Sequence, residues 1–384
     1  MISTSVIELD RTALANNLGF IRKNIHRRSK ISAVVKGNAY GHGITEFVTM
    51  AQAEGIDHFS VFSADEAEEV FKSKNPGTKI MIMGWLDNDQ VEWAIENDIE
   101  FYIFDLNFVY ETIQYAKKAG KAAKVHIEVE TGMNRTGFKK KSLNKLLKII
   151  DSNKGCFEIN GLCTHYAGAE SIANYVRIQK QIRSFNHIYR DLLSKNIEPK
   201  IRHSACSAAA MNYPGTCLDL VRIGIMQYGF WPSPETFIQY AHRKADKTDP
   251  LTRVLKWKSR IMTIKEVKEG EFISYGTNYL AQEDKKIAII PVGYSSGYSR
   301  VLSNQGRVLI NETFANVIGL VNMNMMIVDV SLIPSVKRGD EVVLIGKQGD
   351  LEITVNSFSA MSDTMNYELL ARLPQNIERR IVNN

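Results

Sequence analysis

ISAVVKGNAYGHG, residues 31–43, reads as a short apolar, β-branched strand that ends in Lys36 and runs into a glycine-rich loop. The same unit recurs outward from it. HFSVF (58–62), KIMIM (79–83), EFYIF (100–104), KVHIEV (124–129), EINGLC (158–163), KIRHS (200–204) and LDLVRI (218–223) are further candidate strands. Helical patterns such as ADEAEEVFKSK, NDQVEWAIEND and NFVYETIQYAKKAG lie between most of them. Eight strands in repeated strand–helix order predict an α/β chain built on a (β/α)8 TIM-type barrel, with a doubly wound open sheet as the alternative.

After Gly229 the character changes. VLKWKSRIMTIKEV, KIAIIPVGY, GRVLINETFANVIGL, MIVDVS and DEVVLIG are short alternating strands with Gly, Asp and Asn turns and no long helical period between them. They predict a separate, mainly β C-terminal domain. The division expected is a barrel over 1–240 and a β domain over 241–384, with the polar, proline-containing PSPETFIQYAHRKADKTDP (232–250) as the linker region. VIELD (6–10) has β character and is a candidate extra strand for the second domain.

Composition narrows the function classes. Hydrophobic content of 44% and charged content of 23% over 384 residues are those of an ordinary globular chain long enough for a large and a small domain. No apolar run reaches the ~18 residues of a membrane span, and MISTSVIELDRTALANN lacks the basic patch and apolar core of a secretory signal. The cytoplasm is therefore the expected compartment. Cys156, Cys163, Cys206 and Cys217 lack CxxC spacing and accompany no histidine cluster, so neither a metal site nor a disulfide scaffold is expected. The net charge of +6 is spread out, and its densest stretches, KSKNPGTK and FKKKSLNKLLK, carry no interleaved aromatics for stacking bases. They read as solvated helix faces, and nucleic acid is not an expected partner.

In a parallel barrel the functional groups belong at the C-terminal ends of the strands. Lys36 ends the first strand there, where desolvation lowers an amine's pKa and leaves it able to form a Schiff base; an ordinary surface lysine at a loop start is the plainer reading of this position alone. SACSAAAMNYP after the seventh strand offers Ser207, and RIGIMQYG after the eighth offers the N–H groups of Gly224 and Ile225. Loops in those places often hold a phosphate. An amine at one side of the mouth and a phosphate cradle at the other suit pyridoxal phosphate.

VVKGNAYGHG closely resembles the cofactor-binding motif of alanine racemases, and ETGMNRTGF, THYAGA, CSAAAMNYP, VRIGIMQYG, SYGTNY, PVGYSSGY, NMNMMIVDV and NYELLARLP continue the likeness in order from Lys36 to Pro374. The resemblance implies a pyridoxal-phosphate isomerase with a barrel and a β domain, interconverting L- and D-alanine and supplying D-alanine for peptidoglycan. Lys36 would carry the cofactor and serve as one base, with Tyr275 as the second, acting from the opposite face. Tyr40, Ser207, Gly224, Ile225 and Tyr367 match the phosphate ligands. Arg222 matches the arginine at the pyridine nitrogen, where a guanidinium gives up no proton and leaves the ring a weaker electron sink. His165 matches a group orienting the tyrosine base. Arg135 and the backbone of Met323 match substrate-carboxylate contacts, and Tyr294 matches an aromatic at a narrow entrance. Tyr275 and Met323 would reach the partner's barrel, so the resemblance also implies a homodimer with composite sites. A racemase of serine, lysine or a broader amino-acid set is the neighbouring reading. A related decarboxylase is disfavoured by Arg222 and by a last cysteine at Cys217; a non-catalytic pyridoxal-phosphate-binding protein is disfavoured by the β domain with Tyr275.

The chain departs from the pattern in four places. Glu128 stands where many relatives have a carbamylated lysine, Cys206 replaces an asparagine, Asn322-Met323-Asn324 replaces Cys-Met-Asp, and Ser295-Ser296 interrupts the usual Gly-Tyr-Ala-Asp-Gly-Tyr. Glu128 supplies directly the negative charge that the modification would create and so is expected to orient Arg135. Glu128→Gln should raise the KM for substrate; unchanged steady-state kinetics would remove this role.

Overall fold

The computed structural model describes residues 4–362 and 366–383; the side chains of 359–362, 366 and 367 are outside the description, Tyr367 among them. The chain forms two compact units, one of residues 13–36 and 48–252, the other of 1–12, 37–47 and 253–384. The first unit is the barrel. Strands β2 (Lys30–Val34), β3 (His58–Val61), β4 (Lys79–Ile82), β5 (Glu100–Ile103), β6 (Ala123–Glu128), β7 (Phe157–Cys163), β8 (Ile201–His203) and β9 (Leu220–Ile223) follow β1 (Ser5–Asp10) in the chain. They pair in parallel in the order β9-β2-β3-β4-β5-β6-β7-β8. Closure between β8 and β9 is looser than a ladder: a single bridge joins Cys206 to Arg222, and the Arg222 N–H donates to the Ala205 carbonyl at 3.0 Å. The barrel expected from the sequence is therefore present and nearly closed.

Local signals explain the intervening helices. Asp87 accepts the Asn88 N–H at 2.8 Å while Gln90 reaches back to the Asp87 N–H at 2.9 Å, a reciprocal cap that starts helix Asn88–Glu96. Asp105 caps helix Leu106–Ala119 through the Phe108 N–H, and left-handed Gly120 ends it. That helix buries Phe108, Val109, Thr112, Ile113 and Ala116, a stripe with helical spacing. The 232–250 segment differs from the linker expected: its first half is a helix, Pro234–His242. Ser233 accepts the Thr236 N–H and Pro234 sits where a missing N–H costs nothing, so Ser-Pro starts a helix here.

In the second unit β1 pairs antiparallel with β10 (Leu255–Arg260) and parallel with β18 (Glu378–Val382), so the amino-terminal VIELD stretch is a strand of the β sheet. β11 (Thr263–Val267), β12 (Lys285–Ile290) and β15 (Met326–Asp329) form a three-stranded sheet. β13 (Arg307–Ile310), β14 (Thr313–Asn316), β16 (Glu341–Gln348) and β17 (Leu351–Ile353) extend the larger sheet beyond β10. Alternating burial along β10, with Leu255, Trp257 and Ser259 inward, is the period-two pattern read from the sequence.

The barrel interior is not purely apolar. Ser32, His58, Ser60, Glu100, His126 and His203 are all buried within it. Room for His126 comes from β7, where the ladder slips a register at Val125/His126 and presents Gly161 to the imidazole; a Cβ on Gly161 would lie 2.1 Å from His126 Nδ1. Burial lowers the pKa of His126, against the pull of Glu100, and takes that of His203 well below its usual value. In the second unit burial pushes His42 down to about 4. These rings stay neutral in the folded protein, while the unfolded chain takes up protons below about pH 6.5. Their contribution to stability is full above that pH and is lost on acidification, at about 1.4 kcal/mol per pH unit for each ring until the folded form protonates. The thermal midpoint should therefore fall by several degrees between pH 7.5 and 5.5, and fall less in His42→Asn; a flat profile in the native chain would contradict the neutral assignment.

Candidate active site

The C-terminal ends of the barrel strands bring together residues scattered over 190 positions of sequence. Lys36 follows β2, Glu128 ends β6, His165 follows β7, Ser207 follows β8, and Arg222 lies in β9 just ahead of Gly224 and Ile225. Lys36 is exposed at the mouth, yet the walls around it remove enough water to lower its pKa, helped by Arg135 and Arg222 and opposed by Glu66. A larger share of uncharged amine follows. Burial, with the charges of Arg222, Arg135 and Lys36 behind it, pushes His165 down to about 3, so this ring is neutral.

Arg222 is buried and its donors are almost fully committed. One terminal nitrogen, Nη1, donates to His203 Nδ1 at 2.6 Å and to the His203 carbonyl at 2.9 Å. The other, Nη2, donates to the Thr164 carbonyl at 2.8 Å and the Ser204 carbonyl at 3.2 Å. A guanidinium has five N–H groups. The remaining one, on Nε, has no acceptor among the described residues. Next to it, Ser207 Oγ accepts the Gly224 N–H at 3.0 Å, tying the loop after β8 to the turn after β9 while leaving the hydroxyl proton free to donate.

Arg135 is exposed on the loop after β6, and that loop is shaped by Glu130, which accepts N–H groups from Gly132, Met133 (2.8 Å) and Asn134 (2.7 Å). Gln181 clamps it to the loop after β7, donating to Thr131 Oγ1 at 3.1 Å and the His165 carbonyl at 3.0 Å while accepting the Ala167 N–H at 2.9 Å. Neither Glu130 nor Gln181 stood out in the sequence; Glu130 begins ETGMNRTGF and was the available signal. Glu128 is buried beside this loop. Burial raises its pKa, opposed by a hydrogen bond from Thr136 and by the charges of Arg135 and Arg222. No ion pair within 4.0 Å joins Glu128 and Arg135 among the described residues, so any orienting effect acts through the field and through Thr136.

The other expected residues lie in the second unit. The glycine-rich loop after Lys36 is in fact a left-handed turn: Gly37, Asn38, Ala39 and Tyr40 have φ of 63°, 53°, 52° and 52°. Each non-glycine residue there costs about 1–2 kcal/mol, a strain of the kind held at functional sites. Asn38 Oδ1 offsets part of it by accepting the Ile44 N–H at 3.2 Å. Gly41 completes the turn where no other residue fits, because a Cβ would lie 1.9 Å from the Leu370 carbonyl oxygen. Tyr40 is half-buried at the end of this turn.

Tyr275 is 71% exposed, and Tyr294 and Met323 are also exposed. The Tyr294 N–H donates to the Asn322 carbonyl and the Ser295 N–H to the Met323 carbonyl, both at 3.0 Å. Ser295 Oγ lies 2.7 Å from both the Met323 carbonyl and Asn324 Oδ1, and Ser274 Oγ reaches Asn322 Oδ1 at 3.3 Å. Two positions that depart from the expected pattern, Ser295 and Asn324, thus bond each other, while the third, Asn322, takes Ser274 as its side-chain partner. The Met323 N–H has no acceptor among the described residues.

The chain matches family models for the alanine racemase N-terminal domain over residues 9–232 and the alanine racemase C-terminal domain over 254–381. It is 36% identical over 374 residues to an alanine racemase of Clostridium perfringens, covering 97% of this chain and 94% of that protein. It is 33% identical to one of Methanococcus maripaludis, with 97% of each chain covered. Among solved structures, the alanine racemase of Bacillus anthracis with bound L-Ala-P superposes with a TM-score of 0.90 at 30% identity, covering 100% of this chain and 96% of that one. That of Clostridium difficile gives 0.91 at 28% identity, covering 100% and 97%. On a barrel and a β unit that carry these groups, and with both family models matched in order, the chain belongs to the alanine racemase family.

Proposed function

We propose that this protein interconverts L-alanine and D-alanine with pyridoxal phosphate bound at the barrel mouth. The observation that carries the reading is the buried Arg222, whose terminal nitrogens are all spoken for by the protein and which keeps one N–H, on Nε, for a single acceptor. The donor set fits the cofactor. Lys36 offers an amine with a depressed pKa for the aldehyde, and Arg222 offers one N–H for the ring nitrogen. Ser207, Gly224, Ile225 and Tyr40 offer hydroxyl and N–H groups for the phosphate, and Tyr367, outside the described side chains, is assigned there by its motif.

When bound, pyridoxal phosphate supplies the electron sink that makes the α-proton of an attached amino acid removable. The work of the chain is to move that proton. Lys36 Nζ takes it on one face, and the Tyr275 hydroxyl returns a proton on the other; the roles reverse for the opposite enantiomer. Two bases of different chemistry on opposite faces are what inversion requires. Arg222 stays protonated in either direction, so the cofactor ring gains no proton from it and side reactions that need a fuller sink are disfavoured. Neutral His165 orients rather than ionises. Arg135 and the free Met323 N–H hold the substrate carboxylate, a charge-assisted pair of contacts. Tyr294 narrows the approach and favours a short side chain.

Tyr275 and Met323 act in the barrel of a partner subunit, which makes the working form a homodimer. Among the described residues no helix is long and apolar enough to cross a membrane. The cytoplasm is the proposed compartment and peptidoglycan precursors the proposed destination of D-alanine. The neutral Ser295–Asn324 cluster beside Met323 favours a second reading, a broader amino-acid racemase.

A chiral product assay against a panel of L-amino acids separates these readings. L-alanine should be converted fastest, and Lys36→Ala or Tyr275→Ala should lower conversion by at least about a hundredfold, with the cofactor retained in Tyr275→Ala. No conversion of any amino acid by cofactor-loaded protein would defeat the racemase reading. Mixing inactive Lys36→Ala and Tyr275→Ala chains and letting them re-pair should restore about a quarter of native activity, since half the dimers then hold one intact site of two. No recovery in re-paired dimers would defeat the shared site.

A further inference from the structure

Arg222 is the upper end of a chain of hydrogen bonds that runs down the inside of the barrel. Its Nη1 meets His203 Nδ1 at 2.6 Å, His203 Nε2 meets His126 Nδ1 at 2.8 Å, and His126 Nε2 meets Glu100 Oε2 at 2.7 Å. Both imidazoles are fully buried and Glu100 is 3% exposed. Glu100 is the first residue of β5, at the end of the barrel opposite the mouth, with His58 Nε2 3.7 Å and Lys79 Nζ 3.5 Å from its oxygens.

The protons in this chain have one consistent arrangement. A guanidinium donates and never accepts. His203 Nδ1 must therefore accept, and a neutral His203 carries its proton on Nε2. His126 Nδ1 then accepts from it, so the proton of a neutral His126 is on Nε2 and points at Glu100. A carboxylate only accepts, so the lower end makes the same demand as the upper. A donor at position 100 would set the two ends against each other, drawing His126 to the other tautomer so that two N–H groups face across the His203–His126 contact. An apolar group would leave the buried His126 Nε2–H without its acceptor and remove the charge that polarises the chain.

We propose that Glu100 is a positioning residue of the active site, holding His126 and His203 in the tautomers that lock Arg222 Nη1 and so leave Nε–H as the one donor for the cofactor ring. The inference rests on the reading of Arg222 given above. Buried hydrogen-bonded groups polarise one another, so the negative charge of Glu100 makes His203 a stronger acceptor for the guanidinium two rings away. The direction of titration agrees: burial pushes the Glu100 carboxyl up, but the hydrogen bond from His126 and the nearby His58 ring outweigh it and hold it well below the carboxylate range. Gly161 on β7 and the register slip beside His126 leave the space the ring needs.

The test is nitrogen NMR of [15N]histidine-labelled, cofactor-loaded protein, with steady-state kinetics on Glu100→Gln and Glu100→Leu. In the native chain both rings should be neutral with the proton on Nε2. A doubly protonated ring, or a proton on Nδ1 of either, would overturn the proposal without need of any variant. In Glu100→Leu the His203 resonances should shift, and kcat should fall about tenfold, the lower end of what removing an outer partner of a site costs in metalloenzymes, with KM within about twofold. Glu100→Gln, whose amide oxygen can still accept from His126, should keep the tautomers and recover most of kcat; its near-equal volume guards against a fold defect. Unmoved His203 signals with native kcat in cofactor-loaded Glu100→Leu would overturn the proposal. If the native protein racemises nothing, the functional reading fails separately, and the tautomers and the His203 shift still decide the relay.

Discussion

A cation without solvent is the constraint around which the barrel is arranged. Taking a guanidinium out of water is costly unless its donors find acceptors, and Arg222 is buried in β9. Its acceptors come from three places: carbonyls at the ends of β7 and β8, where no further strand residue consumes them, and the ring of His203. The β8–β9 seam has no continuous ladder: a bridge at Cys206 and Arg222 and the Arg202–Asp219 pair close it, and the arginine at 222 spans it. Barrel closure and the proposed contact to the cofactor ring therefore share one side chain.

Strain is concentrated next to Lys36, the amine proposed to hold the cofactor. Four successive residues after Lys36 hold the left-handed conformation, three of them not glycine. Such a turn reverses the chain within a few residues, and its cost is met by packing elsewhere, including a contact at Gly41 so close that no side chain fits. Glycine explains Gly37 and Gly41. Nothing in the composition of VVKGNAYGHG announces that Asn38, Ala39 and Tyr40 join them.

The departures from the family pattern fall into two physical kinds. Glu128 changes a charge inside the barrel mouth, where burial works against ionisation and Thr136 and Arg135 work for it. Ser295 and Asn324 change a loop contact in the β unit, and they do so together: the serine hydroxyl bonds the asparagine that stands where a carboxylate is usual. A change that is odd at each position alone is coherent as a neutral hydrogen-bonded set. The backbone beside it leaves the Met323 N–H without an acceptor among the described residues.

The sequence by itself determined the order of strands along the chain, the change from a barrel to a mainly β fold and the family, because period-two and helical patterns, turn residues and nine motifs are local features of the chain. It also flagged VIELD as strand-forming, although only the ladder with β10 and β18 shows where it pairs. It misjudged 232–250, where the Ser-Pro start of a helix was outweighed by polar composition. Tertiary structure alone decided the rest. His126, His203 and Glu100 sit in short strands whose sequences give no sign of a shared polar line, and no spacing rule brings residues 100, 126, 203 and 222 together. Neighbouring barrel strands place inward side chains at the same height only after closure fixes their stagger. Hydrogen bonding between such residues is thus a property of the closed barrel, while the residues able to make it are a property of the chain.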